Sequence, residues 1–269
     1  MIKQFNKILF FYFFILINFT FYSQKSIDVK NIKGSCYIEG DVSPNIAKNK
    51  ALNEAKLNAL KDAGINESIS SYQVLFTNQD KNDYTQFFSS DIQSELQGAV
   101  KSYKIISEKT YCTNDNKIVY DITINAEVIK YNSKADNTFK ANINGIKSVY
   151  NNNDNLIFNV VATQNCYLTI FNITDNEASL LFPNSFEKKS ELKKNETKEF
   201  PTEKIDYSLG SNQNKQETNR LIFVFTKKEI PFIKMDNNQI TKKEEIFNWL
   251  YSIPPDERYV EYYTISILK

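Results

Sequence analysis

The chain predicts an α+β fold: an Ala-rich helix packed on an antiparallel sheet, followed by a β-sandwich-like domain with one C-terminal helix. Three observations predict it. An alanine stripe with helical spacing runs through residues 44–63. A hairpin with period-two alternation follows at 99–131. The second half then breaks into short apolar runs separated by turns, with one amphipathic stretch near the end.

Residues 1–24 read as a signal peptide rather than part of the fold. Lys3 and Lys7 form a cationic start, and the apolar run from Ile8 to Ile17 follows. That run is too short for the ~20 residues of a membrane-spanning helix, and Ser23 before Gln24 offers a small-residue cleavage point. An uncleaved signal anchor is the alternative. No Cys follows the apolar run directly, and Cys36 lies behind Lys33-Gly34-Ser35, so lipid anchoring is not expected. The expected location is exported: periplasmic, cell-surface-associated or secreted, with no stable membrane insertion after cleavage.

The remaining chain, about 245 residues, exceeds one average domain. Residues 25–131 form the expected helix-on-sheet domain. Residues 31–39 alternate as a strand, and Gly40-Asp41-Val42 turns. Ser43-Pro44 supplies an N-cap and a proline at the first helical position, and Gly64 stands where a C-terminal glycine cap belongs. Ala47, Ala51, Leu52, Ala55, Ala59 and Ala63 share one helical side, a small-residue stripe that permits close approach to a sheet. Ile46, Leu57 and Leu60 lie nearly opposite. They are covered within the chain, or they form an interaction surface. Residues 71–76 suggest a short strand and 90–96 a helical turn. In the hairpin, Ile118, Tyr120, Ile122, Ile124, Ala126 and Val128 share one face, which places that face under the alanine stripe.

The polar stretch 132–138 is the expected linker, and 139–269 the β-rich domain. Its candidate strands are 139–150, 156–163, 167–173, 178–182, 221–226 and 258–268. Charged residues 188–198 and polar residues 206–219 read as loops, the latter long enough to be mobile and a candidate contact surface. Thr241-Lys242-Lys243-Glu244 reads as a capping box opening a helix that carries Ile246, Phe247, Trp249 and Leu250, with Pro254-Pro255 as its stop.

Composition excludes several functions. There is no His, so Ser-His-Asp and Cys-His catalysis and His-ligated zinc are out. The net charge is +1 and Gly numbers only 6, so neither nucleic-acid binding nor a Gly-rich phosphate loop is indicated. No cofactor is expected. Cys36 and Cys112 share strand parity with Ile38 and Ile106, which leaves a disulfide or two buried thiols open; Cys166 opens an apolar strand and reads as core. Asp256-Glu257 and Glu244-Glu245 are adjacent pairs, which read as solvated surface rather than facing catalytic carboxylates. Trp249 and Tyr251, with Tyr259, Tyr262 and Tyr263, suggest a sugar-stacking platform or a helix-and-strand core. Phe182-Pro183-Asn184 reads as a turn with Phe182 buried, or as a ligand-facing corner.

Two segments carry resemblances. Residues 34–131, with Glu39-Gly40, Glu54-Ala55, Ala59-Leu60, Ala63-Gly64, Tyr103-Lys104-Ile105-Ile106 and Tyr120 through Val128, resemble the N-terminal domain of the flagellar assembly T protein and related small bacterial surface lipoproteins. Residues 139–226, with Tyr167-Leu168-Thr169-Ile170-Phe171, Leu181-Phe182-Pro183-Asn184, Phe200-Pro201 and Leu221-Ile222-Phe223-Val224, are similar to the bacterial domain of unknown function numbered four-three-eight-four. Members of that family often sit in envelope proteins, and neither family brings established catalytic residues. The expectation is a non-catalytic envelope protein acting in assembly or protein interaction, with envelope proteins as partners. A glycan-binding module and a carboxylate-dependent hydrolase are the alternatives.

Overall fold

The computed structural model describes residues 25–65, 97–174, 177–202, 205–210 and 216–269. The expected leader, the strand at 71–76 and the helical turn at 90–96 lie outside the described residues. The fold is α+β, mostly antiparallel sheet with one helix near each end of the described chain.

The first module is a three-stranded sheet in the order β1-β3-β2, built from β1 (Lys25–Ile38), β2 (Gly98–Cys112) and β3 (Ile118–Lys130). Helix α1 (Pro44–Asp62) lies across it. Ser43 caps the helix, its side chain accepting from the Ile46 N–H. At the other end, Ile65 N–H donates to Leu60 O and Gly64 N–H to Lys61 O, with Gly64 at φ +77°. That pair of bonds is a Schellman closure, which glycine reaches without steric cost. Ala47, Ala51, Ala55 and Ala59 are fully buried, and Ile122, Ile124 and Val128 face them from β3. The helix also covers the edge of β1. Asn58 Nδ2 donates to Lys33 O, and Glu54 Oε2 accepts from Ser35 N–H. Side chains of α1 thus satisfy backbone groups that an edge strand would otherwise present to solvent.

In the second module a sheet of β10 (Thr197–Phe200), β6 (Phe158–Ala162) and β4 (Ala141–Asn144) packs on a larger one. The larger sheet runs β12 (Ile240–Thr241), β8 (Ala178–Phe182), β7 (Cys166–Ile173), β11 (Gln216–Thr226), β13 (Arg258–Leu268) and β5 (Val149–Asn151), and β9 (Glu191–Leu192) pairs with β7. Phe158, Val160, Phe200, Leu168, Ile170, Phe223 and Phe225 fill the space between the two sheets. Helix α2 (Lys243–Ser252) covers the opposite face of the larger sheet.

Several expected boundaries move for local reasons. The strand expected at 139–150 divides at Gly145, whose φ of +101° turns the chain beside Ile157. The charged loop at 188–198 contains β9 and the start of β10. Polar residues 216–219 extend β11 instead of forming a loop, paired with Leu268 through Ile265, and Tyr207 and Leu209 are buried. Thr241 does not cap α2: its hydroxyl donates to Lys234 O, and Lys242 is the cap residue without a side-chain bond.

The modules share a core. Ala99, Ile129 and Tyr131 from the first pack with Ile246, Leu250 and Tyr251 of α2. Tyr131 Oη donates to Tyr251 O at 2.8 Å. The buried Arg258 guanidinium donates to Leu250 O and Ile253 O and lies 5.2 Å from the Tyr131 ring centroid. One planar cation therefore ties the C-terminus of α2 to the last residue of the first module. The stretch expected as a linker is fastened too: Asp136 Oδ2 and Lys227 Nζ are 2.7 Å apart.

Candidate functional site

After β8 the chain turns at a corner, 182–190, whose shape depends on two side chains. Asn184 Oδ1 accepts from the N–H groups of Phe186 and Glu187, at 2.9 and 2.8 Å. Its Nδ2 donates to Leu181 O at 3.0 Å and to Glu187 Oε2 at 3.2 Å. Asparagine suits this position because its short side chain carries a separate acceptor oxygen and a two-donor amide nitrogen. Glu187 is buried at 3% exposure. Its Oε1 accepts from the Thr202 hydroxyl at 2.6 Å and from the Thr202 N–H, and its Oε2 accepts from Tyr207 Oη as well as Asn184. Burial raises the Glu187 pKa, but the donors from Thr202, Tyr207 and Asn184 outweigh it and hold the carboxyl below its ordinary range. Tyr207 is pushed up by burial and by this same carboxylate. Both carboxylate oxygens are thus filled by protein donors, and the group acts as a brace rather than as an acid or base.

Phe182–Pro183 and Phe200–Pro201 are both cis. The Phe182 and Phe200 rings meet edge-to-face at 4.9 Å. Lys198 Nζ lies 5.5 Å from each ring centroid and donates to Lys189 O and Glu191 O. Burial lowers the Lys198 pKa.

Beside the corner lies a cleft of about 510 Å³, within the size range of binding pockets. Tyr167, Thr169 and Leu180 contribute from the sheet, Pro183 and Asn184 from the corner, and Phe232 and Met235 from the segment opposite. That segment, 229–235, leaves the end of β11 and reaches the outer side of β8, where Gln239 O accepts from Leu180 N–H. Only Phe232 is buried in it, its ring 5.0 Å from Phe171 and 5.8 Å from Trp249. Ile233 is 76% exposed and Phe186, on the corner, 71%. Among the described residues, no group of His, Cys, Asp and Glu is placed to hold a metal ion.

The residues singled out from sequence fall elsewhere. Leu57 and Leu60 are buried in the first module's core and Ile46 is half-buried, so the second face of α1 is covered and is not an open contact surface. Tyr251 is buried at 3% exposure, and Trp249 packs edge-to-face on Phe171 at 5.6 Å. Their rings belong to the core under α2 rather than to a sugar platform. Glu257 pairs with Lys228 at 3.0 Å. The loop expected at 206–219 is anchored at Tyr207 and Leu209, and 211–215 lie outside the described residues. Phe182 is buried as expected, while Pro183 and Asn184 also line the cleft, so the corner fits both of its readings.

Cys36 and Cys112 are free. The shared parity holds, since Cys36 aligns with Tyr120 and Cys112 with Ile118 on the helix side of β3. The disulfide fails because β3 lies between their strands. Two strand spacings, roughly 9.5 Å, exceed what a disulfide spans. Cys112, at the end of β2, is exposed, and Cys166 is buried, its thiol pushed up to about 12. Under native non-reducing conditions a maleimide is expected to modify Cys112 first, Cys36 more slowly and Cys166 last. Loss of two hydrogens from the intact mass would contradict this assignment.

Residues 149–229 match a family described as a domain of unknown function (DUF4384). The matched span holds both cis-prolines, Asn184, Glu187, Thr202 and Tyr207. No curated protein matches this chain. Sequence reasoning found the corner through its Leu-Phe-Pro-Asn run but missed Glu187, Thr202 and Tyr207, which have no shared periodicity and meet only in the fold.

Proposed function

We propose that this chain is a non-catalytic exported envelope protein that acts as an assembly or protein-interaction module, with envelope proteins as its partners. The observation that carries this reading is the cleft beside the braced corner. Two segments that line it also carry exposed apolar side chains, Phe186 and Ile233, and the one buried carboxylate among the described residues, Glu187, is already saturated. Large apolar side chains held in the open beside a formed cleft favour docking, and a saturated carboxylate does not favour acid–base chemistry. The leader-like residues 1–24 support export. The likeness of 34–131 to the flagellar assembly T protein's N-terminal domain supports a role in building envelope machinery.

The test has two parts. Expression in a secreting bacterial host, followed by N-terminal sequencing, is expected to return a chain starting near Gln24. Crosslinking of that mature chain in its native envelope fraction is expected to recover envelope proteins in stoichiometric amounts. An intact N-terminus retained in the cytoplasm, or crosslinks to glycan alone, would overturn the proposal.

A further inference from the structure

Of the six glycines in the chain only Gly145 follows an asparagine, so Asn144-Gly145 is its single Asn-Gly step. The fold places that step at the end of β4, which lies at the margin of the smaller sheet. Pairing with β6 ends at Asn144, opposite Asn159, and Gly145 then turns the chain at φ +101°. Both residues are exposed. The Gly145 N–H makes no hydrogen bond to another described residue. Asn144 Nδ2 lies 3.4 Å from Asn159 Oδ1, at the long limit of a hydrogen bond, so the amide is held weakly. A Cβ at position 145 would stand 2.9 Å from Ile157 O, and the positive φ disfavours one as well. The turn therefore requires glycine, the residue whose backbone nitrogen is least hindered in attacking the side chain before it.

We propose that Asn144 is a site of spontaneous deamidation in the folded protein, through a cyclic imide formed with the Gly145 nitrogen. Base removes the Gly145 N–H proton. The nitrogen attacks Asn144 Cγ, a C–N bond forms, and Nδ2 takes a proton and leaves as ammonia. Water then opens the ring. Addition at Cγ breaks the new bond and leaves aspartate. Addition at the Asn144 main-chain carbonyl breaks the original peptide bond and leaves isoaspartate, whose backbone runs through Cβ and Cγ. The reacting groups are already tethered, and the peptide group that must rotate lies past the last paired residue of β4. Either product is a carboxylate, so the formal net charge falls by one from +1. The donor to Asn159 is lost, and the isoaspartyl form lengthens the backbone where Gly145 passes Ile157, which loosens the last rung of β4 on β6.

Asn184-Ser185 is the contrasting step. Serine is also small, but Asn184 Oδ1 accepts from two backbone N–H groups and Nδ2 donates to Leu181 O and Glu187 Oε2. That side chain cannot turn toward the Ser185 nitrogen until the corner opens. The fold thus protects one step and leaves the other free.

The test incubates the purified protein at mildly alkaline pH, folded and in urea, followed by tryptic mapping and mass spectrometry. Peptide 141–147, bounded by Lys140 and Lys147, is expected to gain about 1 Da in the folded protein, as ammonia is exchanged for water. It should also split into two chromatographic products of equal mass, aspartyl and isoaspartyl. In the folded protein conversion at 144 is expected to run at least about tenfold faster than at 184. In urea both positions convert. Asn144→Gln, whose ring closure is larger and slower, is expected to abolish the shift in 141–147. Conversion at 144 only after unfolding, conversion in the fold no faster than at 184, or a single aspartyl product would overturn the proposal. So would a shift that survives Asn144→Gln, which would move the change to Asn142.

Discussion

Gly34→Val is expected to destabilise the protein by about 3 kcal/mol or more. Gly34 sits on β1 opposite Ile122, on the face that meets α1. A Cβ there would lie 2.1 Å from Ala51 O and 2.4 Å from Ala55 N. Both atoms are helix backbone, so no rotamer change can relieve the contact. The helix must lift from the sheet, which opens space around Ala51 and Ala55 and stretches the Asn58 and Glu54 bonds to β1 on either side of Gly34. Valine's preference for strands opposes this, but by no more than about 1 kcal/mol. The clash therefore decides the sign. Gly34→Ala carries the same Cβ and is expected to cost about 2 kcal/mol. Gly210 is the control, since a Cβ there meets nothing within 4 Å, and Gly210→Ala should shift stability by less than about 0.5 kcal/mol. Urea unfolding of the three variants checks this. Equal midpoints for Gly34→Ala and Gly210→Ala would show that the helix does not depend on close approach.

Much of this first module was legible because its signals are local. Ser43-Pro44, Gly64, the alanine stripe and the alternation of β3 each act within a few residues, and they agree with one another. Strand order was less accessible. The parity of Cys36 and Cys112 was readable, but whether β1 adds to β2 or to the far side of β3 is a long-range choice, and it decides the disulfide. The small elements escaped because β9 and β10 are short and charged and β12 is only two residues long; each pairs at a sheet margin. The candidate site was legible only as a turn. Its brace joins residues separated by 15 and 20 positions, a proximity no local residue pattern encodes.

The brace itself carries the second large effect. Glu187→Ala is expected to cost about 3–5 kcal/mol, against a typical stability of 5–15 kcal/mol. It would leave the Thr202 N–H, the Thr202 and Tyr207 hydroxyls and the Asn184 amide without their acceptor in a buried site. Each such donor costs about 1–3 kcal/mol, and the total is less than the sum because hydroxyls can turn to other acceptors. Glu187→Gln retains one oxygen for Thr202 but sets an NH₂ group against the Asn184 amide, so it should fall between wild type and alanine. The pH dependence gives an independent sign. The folded-state pKa of Glu187 is depressed, so the unfolded carboxyl takes up its proton first on acidification. The stabilisation is complete above the unfolded pKa and is lost as pH falls through the folded one. The Gln variant lacks this titration, and its stability should fall less steeply than wild type between about pH 5 and pH 3. Parallel slopes in urea titrations across that range would mean that Glu187 has the same pKa folded and unfolded, so that its donors do not favour the ionised form.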